Sequence, residues 1–200
     1  MSDIICVTNR KLCREDFLTR IERIAAAGVA GIILREKDMD PIEYERLAEQ
    51  VIKMCENYPT KCILHSFTDV ALRLNHRAIH LPLGVLGALN DEQRMCFDTL
   101  GASCHSAEDA AFASDKGCTY IVAGHVYDTD CKRGLPGRGP GFLQEVSASV
   151  SIPVYGIGGI GPQNIGEVRA CHAGACLMSS LMTTPDVEGL IKAMEVNREI

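Results

Sequence analysis

Two hundred residues suit one domain of ordinary size, spanning 1–200, large enough to bury a core without disulfide or metal staples. The formal net charge is −6, from 20 Lys+Arg against 26 Asp+Glu, and no basic run stands out, which argues against a nucleic-acid partner. No stretch has the length of uninterrupted apolar residues that a membrane span needs, and the opening MSDIICVTNR lacks the apolar centre of a signal peptide, so a cytoplasmic protein without a membrane partner is expected.

In chain order, short apolar runs alternate with helical patterns. IICVT (Ile4 to Thr8) reads as a strand, and the next segment places Phe17, Ile21, Ile24 and Ala25 along one helix face. IILR (Ile32 to Arg35) is the second strand. Asp40-Pro41 then opens a helix: aspartate caps, proline suits the first turn, and Glu43 completes a capping-box pattern. KCILHS and AIHLP are the third and fourth strands, with the short helix DVALRL between them. GASCHS ends the fifth strand, EDAAFASDKG forms a helix, and YIVAGHV is the sixth strand. After a long loop comes a helix through Phe142, Leu143 and Val146. IPVYGIGGI is the seventh strand, GPQNIGEVRA a helix and ACLMSS the eighth strand. The last helix starts at Thr184-Pro185-Asp186, with Val187, Leu190, Ile191 and Met194 turned inward.

Eight such units without clean polar alternation in the strands indicate a parallel sheet covered by helices. A closed single-domain (β/α)8 TIM barrel accounts for the pattern. An open doubly wound sheet would carry a glycine-rich turn after its first strand, where this chain reads TNRKL. Ten cysteines form no CxxC pair and suggest neither a metal site nor a disulfide framework, so no metal site is expected. Cys104 beside His105 is a poor nucleophile pair, because alternation turns Cys104 away from the face that carries Ser103.

A barrel keeps its chemistry at the carboxyl ends of its strands. Those ends hold Arg35 and Lys37, His65, His80, Ser103 and His105, His125, Gly158 and Gly159, and Ser179 and Ser180. Glycines after the seventh strand and serines after the eighth suit a phosphate held on backbone N–H groups; the plainer reading is a tight turn. Arg35 and Lys37 suit a second anionic group, or else a surface ion pair. His65 and His80 are equally compatible with supporting roles. His125, fixed by the sixth strand beneath a long loop, suits proton transfer or anchoring of that loop. Within the loop, Thr129 and Lys132 are the best candidates for facing a ligand. Asp128 and Asp130 read as hydrogen-bond or ion-pair partners, and Arg138 as a pin for the loop's return.

The motifs LREKD (Leu34 to Asp38), HLP (His80 to Pro82), GASCHS (Gly101 to Ser106), GHVYDTDCKRGLPGRG (Gly124 to Gly139) and GIGGI (Gly156 to Ile160) resemble one superfamily nearly end to end. It is the superfamily of thiamine phosphate synthase and TenI-type thiazole tautomerase. The resemblance implies a compact TIM barrel, a cytoplasmic homo-oligomer (dimer or tetramer) and a phosphorylated thiazole as small-molecule partner. The synthase branch joins a hydroxymethylpyrimidine diphosphate to a thiazole phosphate and needs magnesium. It carries Asn-Asp after the third strand and an aspartate after the fourth, where this chain has His65-Ser66 and Val85. Valine supplies no oxygen for a hard cation.

The strand-six loop looks like the tautomerase form. The expectation is therefore a cofactor-independent thiazole tautomerase. His125 would be its acid/base, and Arg35, Lys37, His65, Ser103, Thr129 and Lys132 would bind substrate. Gly158, Gly159, Ser179 and Ser180 would hold phosphate. The alternatives are the synthase, with Mg2+, and a non-catalytic regulatory or ligand-binding homologue.

Overall fold

Eight parallel strands pair in chain order and the eighth returns to the first, closing a barrel. This is the arrangement in a computed structural model that describes residues 2–129, 132 and 134–196. The strands are β1 (Ile4–Val7), β2 (Gly31–Leu34), β3 (Lys61–His65), β4 (Ala78–Pro82), β5 (Thr99–Cys104), β6 (Tyr120–Gly124), β7 (Val154–Ile157) and β8 (Ala173–Leu177). Closure is set by Ile5 opposite Cys176 and Cys6 opposite Leu177.

Helices follow each strand on the outside: α1 (Phe17–Ala26), α2 (Pro41–Cys55), α3 (Thr68–Arg73), α4 (Leu83–Ala88), α5 (Asp91–Met95), α6 (Ala107–Asp115), α7 (Gly139–Ala148), α8 (Ile165–Ala170), α9 (Ser179–Thr183) and α10 (Val187–Glu195). Local chemistry starts them. Asp40 accepts N–H bonds from Ile42 and Glu43, both at 2.9 Å, with Pro41 in the first turn of α2. Asp16, Ser106 and Asp186 cap α1, α6 and α10 in the same way.

Strand alternation divides the apolar residues into two cores. Ile4, Cys6, Ile32, Leu34, Leu64, Ile79 and Leu81 face outward and pack with the helices into the larger one. Ile5, Val7, Ile33, Ile63, Tyr120, Val122 and Cys176 face inward and fill the barrel. Burial of about 2 kcal/mol per large apolar side chain makes the outer core the main stabilising layer. The buried Tyr44 of α2 ties the two systems together: its hydroxyl donates to the Leu34 carbonyl at 2.6 Å and accepts from the His65 N–H at 2.8 Å. It thereby pins the β2 and β3 ends where the strands begin to diverge.

Some boundaries differ from the sequence expectation. Strand eight stops at Leu177, and Ser179 opens α9 instead of continuing the strand. Strand six stops at Gly124, so His125 belongs to the loop. Two short helices lie between β4 and β5; the second carries an Asn90/Gln93 capping box. Five and six residues are too short for a helical periodicity to show.

Candidate active site

At the carboxyl ends of the strands a cavity of about 580 Å3 opens into the barrel. All eleven expected site residues line it: Arg35, Lys37, His65, Ser103, His125, Thr129, Lys132, Gly158, Gly159, Ser179 and Ser180. Its floor is the inward-facing apolar layer, with Val7, Ile33, Val122, Ile157 and Cys176. No aspartate or glutamate is among the described residues that line it, although acids outnumber bases in the chain as a whole.

The cationic side is built by alternation at the end of β2. Arg35 and Lys37 turn toward the cavity, while Glu36 between them is buried on the other side. Glu36 accepts from the Thr8 hydroxyl at 2.7 Å and from the Arg10 N–H at 3.0 Å, and pairs with the Arg10 guanidinium at 3.2 Å. The Thr8 hydroxyl oxygen in turn accepts the Arg35 N–H at 2.9 Å, which fixes the backbone from which Arg35 projects. Arg35, Lys37 and Lys132 have no carboxylate partner among the described residues. The Lys37 ammonium is held below its ordinary value by the Arg35 charge first, then by burial and by Lys132. Three like charges facing one cavity give that side of it a positive potential.

Opposite lie the glycines after β7. Gly158 and Gly159 have φ of 104° and 65°, and neither N–H has a protein acceptor among the described residues. A side chain at either position would meet the strand-six loop: a Cβ on Gly158 lies 2.5 Å from the His125 Cβ, and one on Gly159 lies 2.5 Å from the Asp128 carbonyl oxygen. Glycine is thus required by loop packing as well as by backbone conformation. Ser179 and Ser180 begin α9 beside them.

That loop is tied down at several points. The His125 Nε2–H donates to the Leu135 carbonyl at 3.2 Å, and the His105 Nδ1–H donates to the Gly124 carbonyl at 3.0 Å. Asp128 accepts the Gly137 N–H at 2.6 Å, as a loop hydrogen-bond acceptor. Arg138 donates to the His105 carbonyl and stacks 3.8 Å over Phe142, so it pins the loop's return to α7. Asp130 lies outside the described residues.

Between the cationic side and the glycines sit His65, His80 and Ser103. His65 and His80 stack at 5.8 Å, and burial pushes both down to about 3, assisted for His65 by the charges of His80, Arg35 and Lys37 and for His80 by that of Arg35. Both rings are neutral in ordinary buffers. Tyr120, buried on β6 and not foreseen from the sequence, places its hydroxyl 3.0 Å from His80 Nδ1 inside the barrel. Its signal was available in the alternation of YIVAG, which turns Tyr120 and Val122 inward together. Burial raises Cys104 to about 12, which removes it as a nucleophile.

Among the described residues, the positions that hold magnesium in the synthase branch supply no carboxylate. The positions after β3 and β4 hold His65, Ser66 and Val85, and Glu36 and Asp38 are engaged by Arg10 and Lys11 outside the cavity. Among the described residues no group of three or more His, Cys, Asp or Glu side chains could hold a metal ion. The donor set does not fit a protein-ligated hard cation.

Fold and site together define a barrel enzyme whose mouth is cationic on one side and lined by exposed backbone N–H groups on the other. The chain belongs to the thiamine monophosphate synthase family, whose pattern matches residues 4–181. It is 29% identical over 191 residues to the thiamine-phosphate synthase of Clostridium acetobutylicum, covering 94% of this chain and 90% of that one. It is 30% identical over 202 residues to the thiamine-phosphate synthase of Roseiflexus sp., covering 96% and 83%. The solved thiamine phosphate pyrophosphorylase from Pyrococcus furiosus superposes with a TM-score of 0.83 at 25% identity, covering 98% of this chain and 95% of that one. A 3-hexulose-6-phosphate synthase, at 13% identity and TM-score 0.72, shares the fold alone.

These relatives overturn the tautomerase expectation. Curated proteins that match over most of their length, those of Clostridium acetobutylicum and Roseiflexus sp. among them, are thiamine-phosphate synthases, which favours a transferase over an isomerase. The form of the strand-six loop, which suggested the tautomerase, describes a short segment; the likeness to synthases runs through the barrel. The proton-transfer role expected for His125 belongs to the tautomerase reaction and goes with it.

Proposed function

We propose that the protein is a thiamine-phosphate synthase: it joins a hydroxymethylpyrimidine diphosphate to a thiazole phosphate and releases diphosphate. The observation that carries this reading is the cluster of Arg35, Lys37 and Lys132, three cations without carboxylate partners among the described residues, at the mouth of a cavity whose described lining holds no acid. A group with the charge of a diphosphate suits that cluster. The smaller phosphate of the second substrate suits the N–H groups of Gly158 and Gly159 with Ser179 and Ser180.

In the transfer, the bond from the pyrimidine's carbon to the diphosphate oxygen breaks, its electron pair leaves with diphosphate, and a new bond to the thiazole forms. The negative charge that concentrates on the departing oxygen is stabilised by Arg35, Lys37 and Lys132. Preorganised cations of this kind contribute roughly 10² to 10³ in rate per group. The two anion sites on opposite sides of the mouth hold the halves in register, and Thr129 closes the cavity from the loop side. His65 and Ser103 lie between them, where the pyrimidine ring would rest.

The test is a direct assay with the two phosphorylated halves, with magnesium and after chelation, following both the joined product and released diphosphate. Stoichiometric formation of both products is expected. Their absence under both conditions would sink the reading.

A further inference from the structure

Three side chains inside the barrel form one hydrogen-bonded line ending at the cavity. The register places His80 of β4 opposite Gly101 of β5, and Gly101 opposite Tyr120 of β6. Gly101 leaves the gap that makes the line possible, since a Cβ there would collide with the Tyr120 ring. Through that gap the Tyr120 hydroxyl reaches His80 Nδ1 at 3.0 Å. On the other side of the imidazole, Nε2 lies 2.8 Å from the Ser103 hydroxyl, one layer nearer the mouth and on the cavity wall. His80 and Tyr120 are 2% and 5% exposed, so both lie away from bulk solvent.

Proton accounting gives this line a direction. A neutral imidazole has one N–H. If it sits on Nδ1 and points at Tyr120, the buried tyrosine hydrogen has no acceptor among the described residues. If it sits on Nε2, the Tyr120 hydroxyl donates to Nδ1, Nε2–H donates to Ser103, and every buried hydrogen is used. The second arrangement avoids an unsatisfied buried donor. It also occupies the Ser103 oxygen from behind, leaving the serine hydrogen free to turn into the cavity.

We infer that Tyr120 and His80 are positioning residues that fix Ser103 as a hydrogen-bond donor toward the ligand. The site then selects a heteroaromatic ring that presents an acceptor atom to Ser103, such as a pyrimidine ring nitrogen, over one that presents an N–H. The naming of the pyrimidine rests on the proposed transfer reaction; the direction of the hydrogen bonds does not.

Two measurements test the inference on the full chain. Nitrogen-15 histidine labelling and long-range proton–nitrogen correlation read the His80 tautomer directly, without ligand. The expected result is a neutral ring protonated on Nε2; an Nδ1–H tautomer or an imidazolium overturns the proposal. Calorimetry with hydroxymethylpyrimidine diphosphate then compares wild type, Tyr120→Phe and Ser103→Ala.

Loss of one oriented hydrogen bond predicts affinity lower by about tenfold in each variant, with no further loss in the double variant. In Tyr120→Phe the His80 tautomer should become mixed, a change that a merely structural tyrosine would not produce. A Tyr120→Phe protein that keeps full affinity and the Nε2–H tautomer overturns the proposal. Wild-type protein that fails to bind the pyrimidine diphosphate removes the synthase reading, while the tautomer still decides the direction of the line.

Discussion

The end of β2 carries two charge clusters on its two sides, and they are resolved in opposite ways. On the outer side Glu36 and Asp38 are neutralised: Arg10 bridges both, at 3.2 Å and 2.6 Å, and Lys11 reaches Asp38 at 2.9 Å. On the inner side Arg35 and Lys37 face the cavity with Lys132 as a third like charge and no acid among the described residues that line it. Successive residues of one extended segment alternate between the clusters, so neither segment composition nor net charge separates them. The outer cluster ties two loops of the fold together, and in the proposed reaction the inner one receives the diphosphate. Charge left unpaired at a cavity marks function more clearly than the number of charges does.

Arg35→Ala should separate the two most sharply. Removing an inner cation is expected to lower kcat/KM for the joining reaction by roughly 10² to 10³ and to leave the unfolding midpoint in urea nearly unchanged. Glu36→Ala should do the reverse in kind. It strips the acceptor from the buried Thr8 hydroxyl and the Arg10 N–H, and a loss of about 3 kcal/mol in unfolding free energy is expected. Some activity should fall with it, because Thr8 also holds the Arg35 backbone. Equal stability losses in the two variants would erase the distinction between the clusters.

Much of this was legible in the sequence, and the reasons differ by element. Strand order and the closed barrel followed from eight apolar runs separated by helical patterns, because core burial imposes that periodicity. The cavity wall followed from the strand ends, since the fold delivers those residues to one rim. Arg10 was not foreseen: its role depends on a helix-flanking turn after β1 meeting the acids after β2, a contact between segments with no local signature. The tautomerase expectation failed because the strand-six loop and the missing aspartates after β3 and β4 concern a few positions, whereas the likeness to synthases spans the barrel. The end of β8 was misplaced because Met178 and the two serines carry no stop signal; only the turn into α9 defines it.

The neutral layer beneath the cations gives the next prediction. His65 and His80 are held at about 3, well under the ordinary value of 6.5, by burial above all. A folded state that refuses protons which the unfolded state accepts is fully stable above 6.5. It loses stability progressively as the pH falls from there toward 3. Denaturant titrations across that range should show this acid slope, and His65→Gln should make it shallower. A slope unchanged in His65→Gln would mean that His65 contributes nothing to the acid sensitivity in this range and that His80 carries it.

The smallest effect is the most specific to the inner cluster. Lys37 has its ammonium value lowered, so its charged form is disfavoured by folding at every pH below that value, and the penalty fades as the pH rises through it. At neutral pH Lys37 therefore costs stability, the opposite of Asp38, whose carboxylate is held well below its usual range by Arg10 and Lys11. Lys37→Met should raise Tm slightly in low salt, and the gain should shrink as salt screens the Arg35 and Lys132 charges. Inorganic diphosphate should reverse the order, stabilising the wild type more than the variant by supplying the missing negative charge. A variant with a lower Tm in low salt would show that Lys37 already has the partner that Asp38 has, and the contrast between the two sides of β2 would collapse.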